Sequence, residues 1–329
     1  MMRDGFGRTI DYLRLSVTDR CNLRCVYCLP EAAPRFVPGP DLLSDDEIAA
    51  LAGAFARLGV SKIRVTGGEP LVRPGLPALL RRLRALPGVE DLSLSTNGVL
   101  LAGLAGELKA AGLDRVNISL DTLDPERFKR IARFGDLTSV RDGIEAALEA
   151  GLAPVKLNVV AARGMNEDEL GAFAALTQDR PIHIRFIELM PMGETGFFSP
   201  ERRVPLAEMM AAAGPLEPLT RDESPRGHGP ARYYRRPGAA GTVGFISALS
   251  CGFCGACNRV RLSSTGTLIP CLDGEDGADL RTPLRAGAGP DELAELIRGA
   301  VRGKPESHGM TARAASSGAN PRLMCQIGG

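Results

Sequence analysis

Six short runs rich in branched apolar residues recur along the first two thirds of the chain, and stretches with helical periodicity lie between them. The runs are Tyr12–Val17, Lys62–Thr66, Asp91–Thr96, Arg115–Leu120, Val155–Val160 and His183–Leu189. Repeated strand–helix units imply a parallel sheet with right-handed crossovers, covered by helices. The helical stretches carry start signals of their own. Ser44 with Glu47 three residues on is a capping box, ahead of Ile48, Leu51, Phe55 and Leu58 on one face. A second stretch carries Leu76, Leu79, Leu80, Leu83 and Leu86. A third is expected to open at Asn166, with Glu169, Leu170 and Phe173 following.

Six such units fit either an open α/β barrel or a doubly wound sheet, and polar residues inside the strands favour the barrel. Arg14 alternates with Ser16, Arg64 with Thr66, Asn117 with Ser119 and Asp121, and Lys156 with Asn158. Residues two apart face the same side of a strand. A closed eight-stranded barrel fills that side with branched apolar residues. Here the lumen would hold Arg14, Arg64, Lys156 and Arg185. Unpaired buried charge is very costly, so the set calls for anionic company. Either a ligand supplies it, or Asp121, Glu69 and Glu188 do so as internal ion pairs; three acids are few for the whole set.

The cysteines point to metal. Cys21, Cys25 and Cys28 form a C-x3-C-x2-C loop directly after the first strand. Three thiolates on one loop can hold three corners of a cubane iron–sulfur cluster and leave the fourth iron open, unlike clusters that only carry electrons. Structural zinc wants four ligands, and a disulfide would leave one thiol over. A second group, Cys254, Cys257 and Cys271, also has three thiols. It reads as a second cluster, or as zinc with Cys251 as the fourth ligand. Arg259 and Arg261 alternate just after Cys257 and add two cations that could face the same cavity, as a polyphosphate would want.

The remaining candidates also fall where strands end. Thr66-Gly67-Gly68-Glu69-Pro70 follows the second strand, Ser95-Thr96-Asn97-Gly98 closes the third, Ser119-Leu120-Asp121 the fourth, and Glu188 and Met190 lie at the end of the sixth. Barrel enzymes place their active sites at that end of the strands. The Pro-, Gly- and Arg-rich stretch from Gly214 to Gly241 marks a boundary, dividing a partial barrel over residues 8–214 from a C-terminal region over 215–329. A net charge of +1 gives no reason to expect nucleic acid or an anionic membrane as the main partner. No apolar run reaches the length of a membrane span. The charged N-terminal stretch does not read as a signal peptide, so a cytoplasmic enzyme with reduced cysteines is expected.

The cysteine loop with Tyr27 before its last Cys, and the Gly-Gly-Glu-Pro turn, resemble the radical S-adenosylmethionine superfamily. Within it, the chain resembles the family that cyclises GTP in the first step of molybdenum-cofactor biosynthesis. That likeness is carried by Leu13 to Arg20, Lys62 to Pro70, Ile184 to Glu188, Cys254 to Arg261 and the terminal Gly328-Gly329. It implies an incomplete six-stranded barrel whose side opening is covered by the C-terminal region. It implies two [4Fe-4S] clusters and S-adenosylmethionine as cofactors, with Tyr27, Gly68, Ser119 and Met190 at cofactor positions. It places GTP against Arg14, Arg64, Ser95, Lys156, Arg259 and Arg261, with Arg185 nearby and the two glycines entering the cavity; Ser95 stands where the family commonly has Thr. It further implies a homodimer, an external electron donor and a product passed to cyclic pyranopterin monophosphate synthase. Cys251 and Cys325 are expected to be spectators. A peptide-modifying radical enzyme with an auxiliary cluster is the alternative, although such proteins generally carry more C-terminal cysteines.

Overall fold

All six expected strands form, as β1 (Tyr12–Ser16), β2 (Lys62–Thr66), β3 (Asp91–Thr96), β4 (Arg115–Ser119), β5 (Val155–Ala161) and β6 (Ile182–Glu188). They lie in chain order, each parallel to the next. This computed structural model describes residues 1–329 apart from 33, 34, 194, 228, 275, 317 and 329. Later strands lengthen the sheet at both edges. Beyond β6 come β9 (Thr242–Ile246), β8 (Arg232–Arg235) and β7 (Glu217–Pro218); beyond β1 come β10 (Arg259–Leu262), β11 (Thr267–Ile269) and β12 (Ala278–Asp279). β9 continues the parallel run from β6 and β10 continues it from β1. β12 and β7 end the sheet without pairing to each other, so the barrel is incomplete, as expected.

The strands alternate as their sequences demand. One set, including Leu13, Leu15, Ile63, Val65, Leu92, Leu94, Val116 and Ile118, is fully buried in the core under the helices. The other set carries the polar residues of the lumen. The helix Asp45–Arg57 begins as expected: Ser44 Oγ accepts from Glu47 N at 3.2 Å, and Glu47 Oε2 accepts from Ser44 N at 2.8 Å. It buries Ile48, Leu51 and Phe55, and the helix Leu76–Arg84 buries Leu76, Leu79, Leu80 and Leu83.

The third helix start differs from expectation. The α-helix runs from Leu170 to Ala175 behind a short 3-10 turn, with no side-chain cap from Asn166. Asn166 is buried, donates to the carbonyls of Asp121 and Val160, and accepts from Ala162 N. Glu169 accepts from Thr122 Oγ1 and Leu123 N. Two residues that read as a local cap join the β4 and β5 loops instead.

The N-terminal end of the lumen is closed by a buried ion pair that the strand pattern did not announce. Arg115 donates to both oxygens of Asp91 at 3.1 and 2.7 Å, and their side chains are 1% and 2% exposed. Removing one member of such a pair strands the other charge. Asp91→Ala is expected to destabilise the fold by about 3–5 kcal/mol, read as a lowered midpoint in urea denaturation; an unchanged midpoint would show the pair to be dispensable. No helix among the described residues is long and apolar enough to cross a membrane.

Candidate functional site

The loop after β1 lies along the loop after β2. Val17 N donates to Thr66 O, Gly68 N to Thr18 O and Glu69 N to Arg20 O, at 2.8–2.9 Å. A Cβ on Gly67 would sit 2.6 Å from Thr18 O, and one on Gly68 would sit 2.6 Å from Asp19 O. The two glycines are therefore required by the approach of one loop to another, not only by the approach of a ligand. Within the cysteine loop, Cys25 O accepts from Cys28 N and Leu29 N, closing a turn that carries Cys25 and Cys28. Asn97, at the end of β3, donates to Asn22 Oδ1 at 2.8 Å and reaches Cys21 Sγ at 3.9 Å. Glu69 gathers Leu71 N, Thr96 Oγ1 and Asn97 N, and burial pushes its carboxyl up to about 7. Tyr27 donates to Asp121 at 2.6 Å, and burial raises Asp121 to about 6 against that bond and one from Val160 N.

By residue type and spacing the three thiols suit an iron–sulfur cluster, although no group of three His, Cys, Asp or Glu among the described residues is gathered as a metal site. Burial pushes Cys21 up to about 11 and Cys25 and Cys28 higher still, and neighbouring thiolate charge raises Cys25 and Cys28 further. Such sulfurs become thiolates only when a cation joins them. Cys325, buried in the short helix Met324–Ile327, is pushed up to about 12 by burial, Asp19 and Cys21. It also contributes to the rise at Cys28, so it lies beside this loop.

The lumen gathers the expected cations. The register sets Arg14 between Arg64 and Arg261 on neighbouring strands, and Lys156 beside Asn117 and His183. Burial and mutual repulsion depress them together: Arg14 falls well below its usual range, Arg64 and Arg261 to about 10, and Lys156 to about 5. Among the described residues the three acids that could pair with these cations are engaged elsewhere. Glu69 is engaged as above, Asp121 by Tyr27 and Val160, and Glu188 by Arg203, Ser250 and Leu249 N.

Neutral oxygens meet the lumen cations instead. Arg185 donates to Asn117 Oδ1 at 2.6 Å, Lys156 to the carbonyls of Pro225 and Arg226, and Arg261 to Gly328 O at 2.7 Å. Arg64 donates to Ser93 Oγ at 3.4 Å and stacks on Tyr12. Asn158 Oδ1 and Arg185 Nε, paired in register across β5 and β6, are buried without a hydrogen-bond partner. Buried polar atoms of that kind are uncommon in native proteins and suit a polar ligand.

The second cysteine group closes against β10, which lies between β1 and β11. A 3-10 turn spans Cys254–Ala256, and the antiparallel pairing of Arg261 with Ile269 brings Cys271 back toward Arg259. Burial works to raise Cys257, but Arg259 and Lys304 outweigh it and the thiol is lowered. Lys304 is 3% exposed and holds the carbonyls of Arg259 and Pro270; nothing in the sequence singled it out. Arg259 also reaches Cys257 Sγ at 3.7 Å and stacks on Phe253. This donor set, three thiols beside cations, suits a second cluster. Cys251 and Arg259 line a cavity of about 400 Å³ with Arg232, Phe245 and Phe253.

The remaining expected residues lie around the chamber. Ser95 is half-buried opposite Asn117, and Ser119 is exposed at the top of β4 opposite Asn158. Met190 follows β6 and packs with the cluster of Met192, Ala248 and Ile327. Gly328 sits against β1 and β2, its carbonyl accepting from Arg14 and Arg261. Gly329 lies outside the described residues.

Comparison with known proteins places the chain in a family. Residues 15–177 match the family described as the radical SAM superfamily, and residues 182–310 match the family described as Molybdenum Cofactor Synthesis C. The chain is 52% identical to the GTP 3′,8-cyclase of Pelotomaculum thermopropionicum over the full length of both proteins. It is 44% identical to that of Listeria monocytogenes, over all of this chain and 99% of the other. Among solved structures, Streptococcus suis SuiB bound to S-adenosylmethionine superposes with a TM-score of 0.56 at 14% identity, covering 97% of this chain and 78% of that one. The last is a likeness of fold.

Proposed function

The chain belongs to the GTP 3′,8-cyclase family of the radical S-adenosylmethionine superfamily, and on that premise we propose how its own residues carry out the family's reaction. It is an enzyme of molybdenum-cofactor biosynthesis that cyclises GTP with S-adenosylmethionine and two [4Fe-4S] clusters. When bound, the first cluster and S-adenosylmethionine supply the radical that activates the ribose of GTP.

Cys21, Cys25 and Cys28 hold the first cluster. Asn97 and Glu69 keep the loops around it in register, and Tyr27, Gly68, Ser119 and Met190 border the cofactor. Cys254, Cys257 and Cys271 hold the second cluster, with Arg259 and Lys304 favouring the thiolate form of Cys257. Arg14, Arg64, Lys156, Arg259 and Arg261, with Ser95 and Arg185, receive GTP, chiefly its triphosphate. The observation that supports this most strongly is that Arg64, Lys156, Arg185 and Arg261 are buried and donate to hydroxyl, carbonyl and amide oxygens. A polyanion suits such a set, and a deep chamber holds the reacting ribose rigid and dry.

The product, (8S)-3′,8-cyclo-7,8-dihydroguanosine 5′-triphosphate, would pass to cyclic pyranopterin monophosphate synthase. A cytoplasmic homodimer reduced by an external one-electron donor completes the proposal. The direct test is anaerobic reconstitution with iron and sulfide, followed by incubation with S-adenosylmethionine, a reductant and either GTP or a peptide. Formation of the cyclised nucleotide supports the assignment, and turnover of peptide alone overturns it.

A pH signature follows from Lys156. Its folded pKa is about 5, below its ordinary value near 10.5, so it is neutral at pH 7 in the free protein. A triphosphate alongside restores the charge, so GTP binding is expected to take up about one proton near pH 7. Calorimetry in buffers of different ionisation enthalpy measures that number; zero uptake would mean that the phosphates lie elsewhere. The same shift makes the unfolded chain the better proton binder between about pH 5 and 10.5, so through this residue the free protein gains stability as pH rises in that window.

A further inference from the structure

The stretch between β7 and β8 does more than join them. Residues 225–227 cross the end of the lumen where β3, β4 and β5 begin. There the Lys156 side chain, which is 1% exposed, donates to Pro225 O at 3.2 Å and to Arg226 O at 2.5 Å. Arg226 fastens the segment in place by donating from its guanidinium to Glu90 O, next to the start of β3, at 3.0 Å. Gly227 follows with φ +152°, a conformation that side-chain-bearing residues rarely adopt. A Cβ there would meet Lys156 Nζ at 2.6 Å. The ring of Tyr233 on β8 lies on another side of the ammonium, 5.3 Å away.

Two main-chain carbonyls are a particular choice of partner for a lysine that faces Arg64, Arg115 and Arg185. A carboxylate in their place would cancel the charge. Carbonyl dipoles fix the direction of two N–H bonds and do not cancel the charge that a bound triphosphate restores. The ammonium then has three donors, so the third points to that anion.

We propose that residues 225–227 form a latch that aims Lys156 at the phosphates of GTP, with Gly227 and Arg226 as positioning residues that never touch the nucleotide. The proposal rests on the assignment of Lys156 to the triphosphate. It makes a segment that reads as a linker into a determinant of substrate affinity, and it identifies polyphosphate, rather than guanine, as the part of the substrate that the segment governs.

The test uses the reconstituted enzyme and compares GTP with guanosine, which carries no phosphate. Gly227→Ala is expected to weaken GTP about ten-fold or more, the effect of one disturbed charge-assisted hydrogen bond. It is expected to leave guanosine affinity, iron content and GTP-independent cleavage of S-adenosylmethionine unchanged. Arg226→Ala loosens the same segment without adding volume, and a smaller loss in the same direction is expected. Gly229→Ala, where a Cβ meets nothing within 4 Å, is the control and should match the parent. Combining Gly227→Ala with Lys156→Ala should add nothing to Lys156→Ala alone.

The latch is overturned if Gly227→Ala and Arg226→Ala leave the ratio of GTP to guanosine affinity unchanged, or weaken both ligands equally, while Lys156→Ala alters that ratio. If Lys156→Ala itself leaves the ratio unchanged, the assignment of Lys156 fails first and takes the latch with it.

Discussion

Serine at Cys254, Cys257 and Cys271 together is expected to cut bound iron from about eight atoms per chain to about four and to abolish GTP cyclisation, while reductive cleavage of S-adenosylmethionine survives. The two cysteine groups lie at different places on one sheet: the first on the loop after β1, the second around the start of β10. Their surroundings differ as well. The first three thiols are pushed up by burial, and Cys25 and Cys28 also by neighbouring thiolate charge. Cys257 is lowered because Arg259 and Lys304 outweigh its burial. Losing the second group therefore leaves the first loop's hydrogen bonds to β2 and Asn97 intact. The reciprocal variant, serine at Cys21, Cys25 and Cys28, should lose cleavage as well as cyclisation. Iron analysis and assay of 5′-deoxyadenosine separate the cases. Loss of cleavage in the first variant would mean that the two groups do not act independently.

Gly328→Ala is expected to lower kcat/KM by on the order of 100-fold without changing iron content. Gly328 has φ +72°, and a Cβ there would meet Thr66 Cγ2 at 2.7 Å and Ser16 Cβ at 3.2 Å. The backbone must therefore move. Its carbonyl is what Arg14 and Arg261 grip, so two chamber cations would move with it. Displacement by about 1 Å at a reaction site can cost that much. Steady-state kinetics with GTP measures the effect, and parental activity would show that the glycine is a bystander.

The sequence made the sheet legible because strand and helix periods alternate cleanly, and because charged residues two apart can share a face only by lining a lumen. Arg14, Arg64 and Lys156 were visible for that reason. What the chain could not reveal was the partner each cation takes. Carbonyl groups carry no sequence signal, so the grip of Pro225 and Arg226 on Lys156 was hidden, as was that of Gly328 on Arg261. The Asp91–Arg115 pair joins the first residues of two strands, where a charged residue ordinarily reads as a strand end. Lys304 follows a surface helix and shows its role only once Pro270 and Arg259 are folded beside it. Asn166 and Glu169 mark the expected opening of a helix, yet the demands of two neighbouring loops prevailed.

Holding a cluster of like charges apart with neutral dipoles has a consequence for the life of the molecule. An empty chamber keeps its mutual repulsion, whereas a filled one discharges it, so the nucleotide acts as the keystone of its own arch. Occupancy deepens the native well by mass action, and chains starved of substrate are expected to open, and to meet proteases, sooner than fed ones.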